Sequence, residues 1–500
     1  MKRNITSVIL CFVALVAMAA SCTKFLTEEP KTFVSPQDYY NTDDEMHSAV
    51  VGCYSGLSCI LDGLIGISMN ANILFEGLTG YYDRLAANGS HLKAMGFELP
   101  YDLSSEGING NLWKGYYCSI ENCNATIAAI ESKDETCVVP QSKRNAYLGE
   151  VYFLRAYYYY RLVTIFGPVP YKVTPTTGVG DSQLAPDTEA VIYDGIVSDL
   201  LQAESLMAGQ QMHRPDGHVS LGATKSLLAK VYLTMAGYPL QKTECYAKAY
   251  AKAKEVVDSH AYNLFDDYAK LHDMAYENTE EIIFSLQRDA DFARNAMSQY
   301  LVPVHPEICA NASQGGAFVP TAAFYESFDD ADARKTAFFF TEYEGQQFDR
   351  AYVYKFFNSD SKCVQDGKNG LDWILIRYAD VLLTLAEAAC AGGTTSDAAA
   401  LDAYQLVHGR AFAGSVKPSQ ISADEVFKER IFEFCGESQN WFDMTRTHKA
   451  WNANTKTVVG MMGYCPDGHA TVNGHLFNED DVYLIYPSRE VRYNSNLVRP

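Results

Sequence analysis

Four consecutive tyrosines, Tyr157 to Tyr160, lie in a segment that ends abruptly at Phe166-Gly167-Pro168. Glycine supplies a left-handed cap and proline cannot continue a helix, so the spacing predicts a long helix over about 145–166. Further segments of the same kind follow at wide intervals. Apolar residues recur at helical spacing over 112–130, with Trp113, Tyr116, Tyr117, Ile120 and Ile127. Helices are also expected over 188–207, 220–236, 244–259, 372–391 before Gly392-Gly393, 398–409 and 424–436. Thr42 with Glu45 three residues on is a capping-box signature for a helix through Val50 and Tyr54.

These helices fall into pairs. Gly222-Ala223, Leu228-Ala229 and Tyr232-Leu233, followed by Tyr246-Ala247 and Tyr250-Ala251, resemble a tetratricopeptide unit. In such a unit small residues allow close helix packing and aromatics wedge between pairs. The segments 112–130 with 145–166, 188–207 with 220–236, and 372–391 with 398–409 are the other expected pairs. A stack of this kind can brace an irregular lobe.

Two long stretches lack helical periodicity. Residues 60–111 are rich in Gly, Asn, Ser and Tyr; residues 289–370 carry short strand-like runs such as Tyr352 to Lys355. Loops of this length in a folded chain are usually functional. The last forty residues suggest a strand at Val482 to Ile485 before Pro487.

The N-terminus sets the compartment. Lys2 and Arg3 precede an apolar run from Val8 to Ala20, which is the length of a signal-peptide core and too short for a membrane span. Ala19-Ala20-Ser21-Cys22 resembles a bacterial lipobox, which makes residues 1–21 a signal peptide and Cys22 the acylated first residue. The full chain carries a net charge of −21. Losing Lys2 and Arg3 leaves 38 of the 40 basic residues against 61 acidic ones. That balance argues against a nucleic-acid partner. Beyond Cys11 and Cys22 the cysteines are scattered, odd in number and without a CxxC, so they are expected to be buried thiols. No metal site or cofactor motif is present: there is no P-loop, HExxH or GxSxG.

The ordered motifs then resemble those of SusD/RagB-type outer-membrane lipoproteins of Bacteroidetes. They are Phe25-Leu26-x3-Pro30; Asn109-x3-Trp113-x3-Tyr117-x6-Asn124; Phe153 to Tyr158 through Phe166-Gly167-x2-Pro170; Ala223 to Leu233; Glu281 to Ser285; Arg377 to Leu383 with Ala386-Glu387-Ala388; Glu429-Arg430-x2-Glu433-Phe434-x2-Glu437-x3-Trp441-Phe442-Asp443-Met444-x-Arg446; and Tyr486-Pro487-Ser488-x-Glu490-x3-Asn494-x2-Leu497. Asn440 departs from the Arg that the family often carries there. The resemblance covers residues 22–500. It implies a mainly α fold, in which tetratricopeptide-like pairs (about 40–60, 110–260 and 370–450) brace a loop-rich lobe (about 60–110 and 289–370) with a few short strands.

The resemblance also implies a function. Such a chain would be a lipid-anchored protein on the outside of the outer membrane. It would bind an oligosaccharide or polysaccharide, with peptide as the alternative ligand, and deliver it to a SusC-type TonB-dependent transporter. Sugar binding needs flat aromatic faces flanked by polar side chains. The candidates are Tyr81, Tyr82, Asp83, Arg84, Asn88, His91, Phe97 and Tyr101 in the first loop, and Tyr300, His305, Asn311, Gln314 and Phe318 in the second. Trp113, Trp373 and Trp441 are assigned to the core, and Trp451 to neither role. Arg377, Asp380 and Glu387, and the set Glu429, Arg430, Glu433, Asp443 and Arg446, are read as an ion-pair network tying helices together. The chain is therefore not expected to be an enzyme. Asp329, Asp330 and Asp332 look like a structural turn and not a glycosidase pair, and Asn478 to Asp481 like a solvated acidic turn and not a calcium loop.

Overall fold

The computed structural model describes residues 39–60, 71–83, 108–295, 297, 303, 319–357, 369–464 and 476–499. Its helices are α1 (Asp43–Cys53), α2 (Ala71–Leu78), α3 (Ile108–Glu131), α4 (Gln141–Phe166), α5 (Glu189–Leu206), α6 (Leu221–Ala236), α7 (Cys245–Asp258), α8 (Ala322–Ser327), α9 (Arg334–Phe338), α10 (Tyr378–Ala391), α11 (Ala398–Ala411), α12 (Ala423–Glu433), α13 (Asn440–Thr447) and α14 (Ser488–Tyr493). Among the described residues eight short strands form four two-stranded antiparallel ladders: β1 (Tyr82–Asp83) with β3 (Val319–Pro320), β2 (Ile282–Leu286) with β6 (Trp373–Arg377), β4 (Phe339–Tyr343) with β5 (Gln346–Val353), and β7 (Lys449–Asn452) with β8 (Thr457–Gly460).

The expected pairing holds. Helix α4 packs on α3 and α5, α6 on α5 and α7, and α10 on α7, α11 and α12. Side chains start these helices where the sequence places them. Thr42 and Glu45 close a capping box at α1, as do Ser422 and Glu425 at α12, and Thr188, Ser220 and Asp397 cap α5, α6 and α11. The tyrosine run explains why α4 is central. Buried on every face, it sends Tyr158 Oη to Cys53 O at 2.6 Å, Tyr159 Oη to Lys172 O at 2.7 Å, and places Tyr160 Oη 3.1 Å from Thr234 Oγ1. Each phenol thus buries its ring and satisfies its hydroxyl on a different neighbour. Gly167 ends the helix at φ 72°, and a Cβ there would lie 2.9 Å from the Tyr483 ring. Only glycine meets both demands.

Three sequence expectations are corrected. The helix placed at 372–391 begins at Tyr378, because Trp373–Arg377 is strand β6, with Trp373 opposite Leu286 and Arg377 opposite Ile282. Bulky and β-branched residues (Trp373, Ile374, Ile376) suit a buried ladder better than a helix start. Val482 to Ile485 forms no strand; Leu484 N–H donates to Ile165 O at 2.8 Å, and the short helix α14 follows. The first loop, irregular by its sequence, contains helix α2, a short apolar segment between polar stretches.

Trp113, Trp373 and Trp441 are in the core, and so is Trp451, 1% exposed. All eight described cysteines are free thiols. Among the described residues no helix is long and apolar enough to cross a membrane, and no group of His, Cys, Asp or Glu is arranged to hold a metal.

Candidate functional site

The core contains a buried lattice of ion pairs. Arg377 meets Glu281 at 2.9 Å, Glu433 at 2.6 Å and Glu437 at 2.9 Å. Arg410 also holds Glu281 and Glu433, and Arg334 joins Asp332, Glu429 and Glu433. A second group links Lys230 and Arg430 to Asp380, Arg430 to Asp443, and Arg446 to Asp443 and Glu387. The network read from sequence is present, with different partners: Arg377 does not pair with Asp380 or Glu387. As the last strand residue before α10 it faces the 433–437 turn, while Asp380 faces α6 and α12. Burial alone would raise the Glu433 carboxyl. Arg410, Arg377 and Arg334 outweigh it and hold Glu433 well below the usual carboxylate range. Every one of these carboxylates is engaged as an acceptor, which suits a rigid frame and not proton transfer.

The frame carries the roots of the loops. Gly436, at φ 82°, sits against Tyr82, Phe356 and Lys355, with atoms of each within 3.9 Å of where its Cβ would be. Asn72 of α2 donates to Gly436 O at 3.4 Å, and Ser438 N–H donates to Glu76 Oε1 of α2 at 2.6 Å. Lys355 donates to the carbonyls of Glu433 and Cys435 at 3.2 and 3.0 Å. Asn295 N–H donates to Asn369 O at 2.6 Å, and its side chain to Leu371 O at 2.9 Å. Around this cluster the chain departs into residues 61–70, 84–107, 298–302 with 304–318, and 358–368. Two of those departures are joined directly. Asp83 is the register partner of Val319, and Thr321 N–H donates to Tyr81 O at 2.9 Å.

Tyr81 and Tyr82 are corrected by this geometry. Each is 2% exposed. Tyr81 stacks on Phe324 at 4.8 Å and its hydroxyl accepts from Trp451 N–H at 2.7 Å; Tyr82 packs against the same phenylalanine. Burial pushes both phenols far above their ordinary range. Both are core rings and present no exposed face on which a sugar could stack. Asp83 contributes its backbone to β1. Arg84, Asn88, His91, Phe97, Tyr101, Tyr300, His305, Asn311, Gln314 and Phe318 lie outside the described residues.

Two features escaped the sequence reading. Phe292 is 94% exposed at the tip of a turn, where Asp289 Oδ1 accepts from the N–H groups of Asp291 and Phe292, each at 2.9 Å. An Asp three residues before an aromatic, at the edge of the second loop, is the available signal. A cleft of about 370 Å³ also opens beside the frame, lined by Trp451, Phe432, Tyr404, His408, Phe412 and Lys428 among others. Tyr404, His408 and Phe412 stack in sequence along α11 and past its end, and Lys428 lies over the Trp451 ring at 5.4 Å. The signal in the sequence is a run of aromatic rings at i, i+4 and i+8, which share one face of a helix.

Known proteins place this architecture. Residues 57–233 match the family described as starch-binding associating with outer membrane, and residues 341–499 match the SusD family. SusD-like protein P2 of Formosa agariphila is 25% identical over 97% of both chains. The surface glycan-binding protein A of Bacteroides thetaiotaomicron, solved in complex with laminarihexaose, shares the fold at a TM-score of 0.74 and 20% identity, over 91% of this chain and 99% of that one. A SusD superfamily protein from Parabacteroides distasonis superposes with a TM-score of 0.83 at 30% identity, over 91% of this chain and 98% of its own. With that identity sustained along nearly the whole of a solved relative, this chain belongs to the SusD superfamily.

Proposed function

We propose that this chain is a cell-surface lipoprotein, anchored in the outer membrane by acyl groups on Cys22, that captures an oligosaccharide and passes it to a SusC-type TonB-dependent transporter. The observation that carries the reading is the joined pair of loop roots at Asp83 and Val319, set on a lattice of buried ion pairs. It brings the ends of the two segments richest in candidate sugar-binding side chains to one place on a rigid support. Such preorganisation lowers the ordering cost of binding. The glycan complexes of structural neighbours support the ligand class. The engagement of the buried carboxylates with arginines and lysines supports capture without covalent chemistry.

Titration of the purified protein against laminarin, xylogluco-oligosaccharides and maltooligosaccharides tests this. Saturable binding to one glycan class, with no new reducing ends on prolonged incubation, is the expected result. Binding only to peptides would move the ligand class. New reducing ends that vanish on changing a single carboxylate would overturn the non-catalytic reading. For the anchor, Cys22→Ala is expected to leave the membrane fraction.

A further inference from the structure

Helix α1 ends on Cys53, and Cys123 lies midway along α3, on which α1 packs. Both side chains are fully buried. Cys53 Sγ donates to Ala49 O at 3.4 Å and lies 3.5 Å from Thr126 Oγ1, one turn beyond Cys123 on the same face of α3. Tyr158 Oη holds this end of α1 by donating to Cys53 O at 2.6 Å. The Cys53 and Cys123 thiols are hydrogen-bonded to each other. That bond from Cys123 draws the Cys53 thiol below its ordinary range, while burial pushes Cys123 well above its own.

Two touching thiols in a core are ordinary apolar packing where the medium is reducing, and a pair ready to bond where it is oxidising. The proposed export of this chain supplies the second setting, and for that setting the inference rests on the exported reading. We propose that Cys53 and Cys123 form a disulfide when the chain folds in an oxidising medium. Neither thiol reaches solvent in the folded protein, so the exchange takes place before α1 settles on α3. One cysteine thiolate attacks the disulfide of a thiol-oxidising enzyme or of oxidised glutathione, and the other displaces the oxidant from the mixed disulfide. Two electrons and two protons pass to the oxidant, which leaves as thiols. Sulfurs already in contact need little side-chain movement to bond. The bond closes a ring from 53 to 123 that encloses residues 61–70 and 84–107. The two ends of the first candidate sugar-binding segment are then joined covalently, and α1 is fixed to the scaffold.

Refolding the reduced, purified chain in a mixture of reduced and oxidised glutathione, then alkylating it in denaturant and mapping its peptides, decides the point. Peptides joined through Cys53 and Cys123 are the expected result. Alkylation of both cysteines, or Cys53 joined to Cys59, overturns the proposal. The oxidised wild type is expected to melt about 3–5 °C above the reduced protein. Cys53→Ser is expected to lose that difference, and Cys118→Ser, at an exposed position, to keep it. An equal difference in Cys53→Ser overturns the proposal; should that variant fail to fold, the wild-type peptide map still decides. Alkylation of intact cells after acid quenching tests the location separately. The bond in the refolded chain together with free thiols in cells would fault the exported reading and not the pairing.

Discussion

Arg377 and Glu433 meet at 2.6 Å with the arginine side chain 2% exposed and the carboxylate fully withdrawn from solvent. The pair joins the end of strand β6 to the turn that carries Gly436. Arg377→Ala would leave Glu281, Glu433 and Glu437 short of a cation. Breaking a buried pair by removing one partner costs about 3–5 kcal/mol. Denaturant titration is expected to show a loss of that size. A variant within about 0.5 kcal/mol of wild type, the usual span of a surface change, would mean that the network does not support the core.

The same lattice predicts acid sensitivity. Glu433 and Asp443 have folded values below their ordinary 4.5 and 3.8, held there against burial by neighbouring cations. Their stabilisation is therefore fully present above those ordinary values and is lost as pH falls through the depressed ones. Melting temperatures measured from pH 7 downward are expected to decline from about pH 4.5 and steepen below it.

Glu76 has the opposite sign. Burial pushes its carboxyl up to about 8, only partly offset by the Ser438 and Gly436 N–H groups and by Lys355. The folded protein holds this proton over a range where the unfolded chain has lost it. Stability therefore falls as pH rises from about 4.5 to 8, by up to about 1.4 kcal/mol per unit. Glu76→Gln is expected to flatten that slope, so that the variant gains on wild type at pH 8 relative to pH 5. Parallel curves for the two proteins would exclude a protonated Glu76.

Tyr81→Ala and Phe292→Ala should separate support from contact. Tyr81 is a core ring stacked on Phe324, and truncating such a ring costs about 3–5 kcal/mol. Phe292 stands in solvent on a capped turn, so its loss should leave the melting temperature unchanged. If it stacks on the captured glycan, affinity drops about 30-fold, the equivalent of a 2 kcal/mol hot spot. Thermal and denaturant unfolding measure the stability effects, and calorimetric titration with the bound glycan measures the affinity.

The scaffold was legible because its signals are local. Thr42 with Glu45 and Gly167 with Pro168 fix helix ends within a few residues of chain, and the paired apolar spacing names the partners. What was lost depended on distant contacts. Trp373 to Arg377 reads as helix until Ile282 to Leu286 is set beside it as a strand. Arg377 and Asp380 sit one turn apart in sequence, yet the strand-to-helix change between them turns their side chains toward different elements. Tyr81 and Tyr82 look like a sugar platform because polar and glycine-rich sequence surrounds them. Only the return of the chain at Val319 and the approach of Trp451 and Phe324 show that both rings face inward. Asn440, which departs from the family pattern, is fully buried, and its side chain donates to Ile431 O at 3.0 Å, a contact invisible in sequence.

The register of Asp83 with Val319 has one more implication. It is a seam, at which two segments of the chain start or end on one two-stranded ladder. Tyr81, Thr321 and Phe324 close the joint from below, so Asp83 and Val319 are held by residues that lie outside 84–107 and 304–318. Exchanging 84–107 and 304–318 together for those of a relative is thus a graft that leaves the stock intact. Exchanging one alone joins a foreign segment at one strand of this ladder to a native one at the other.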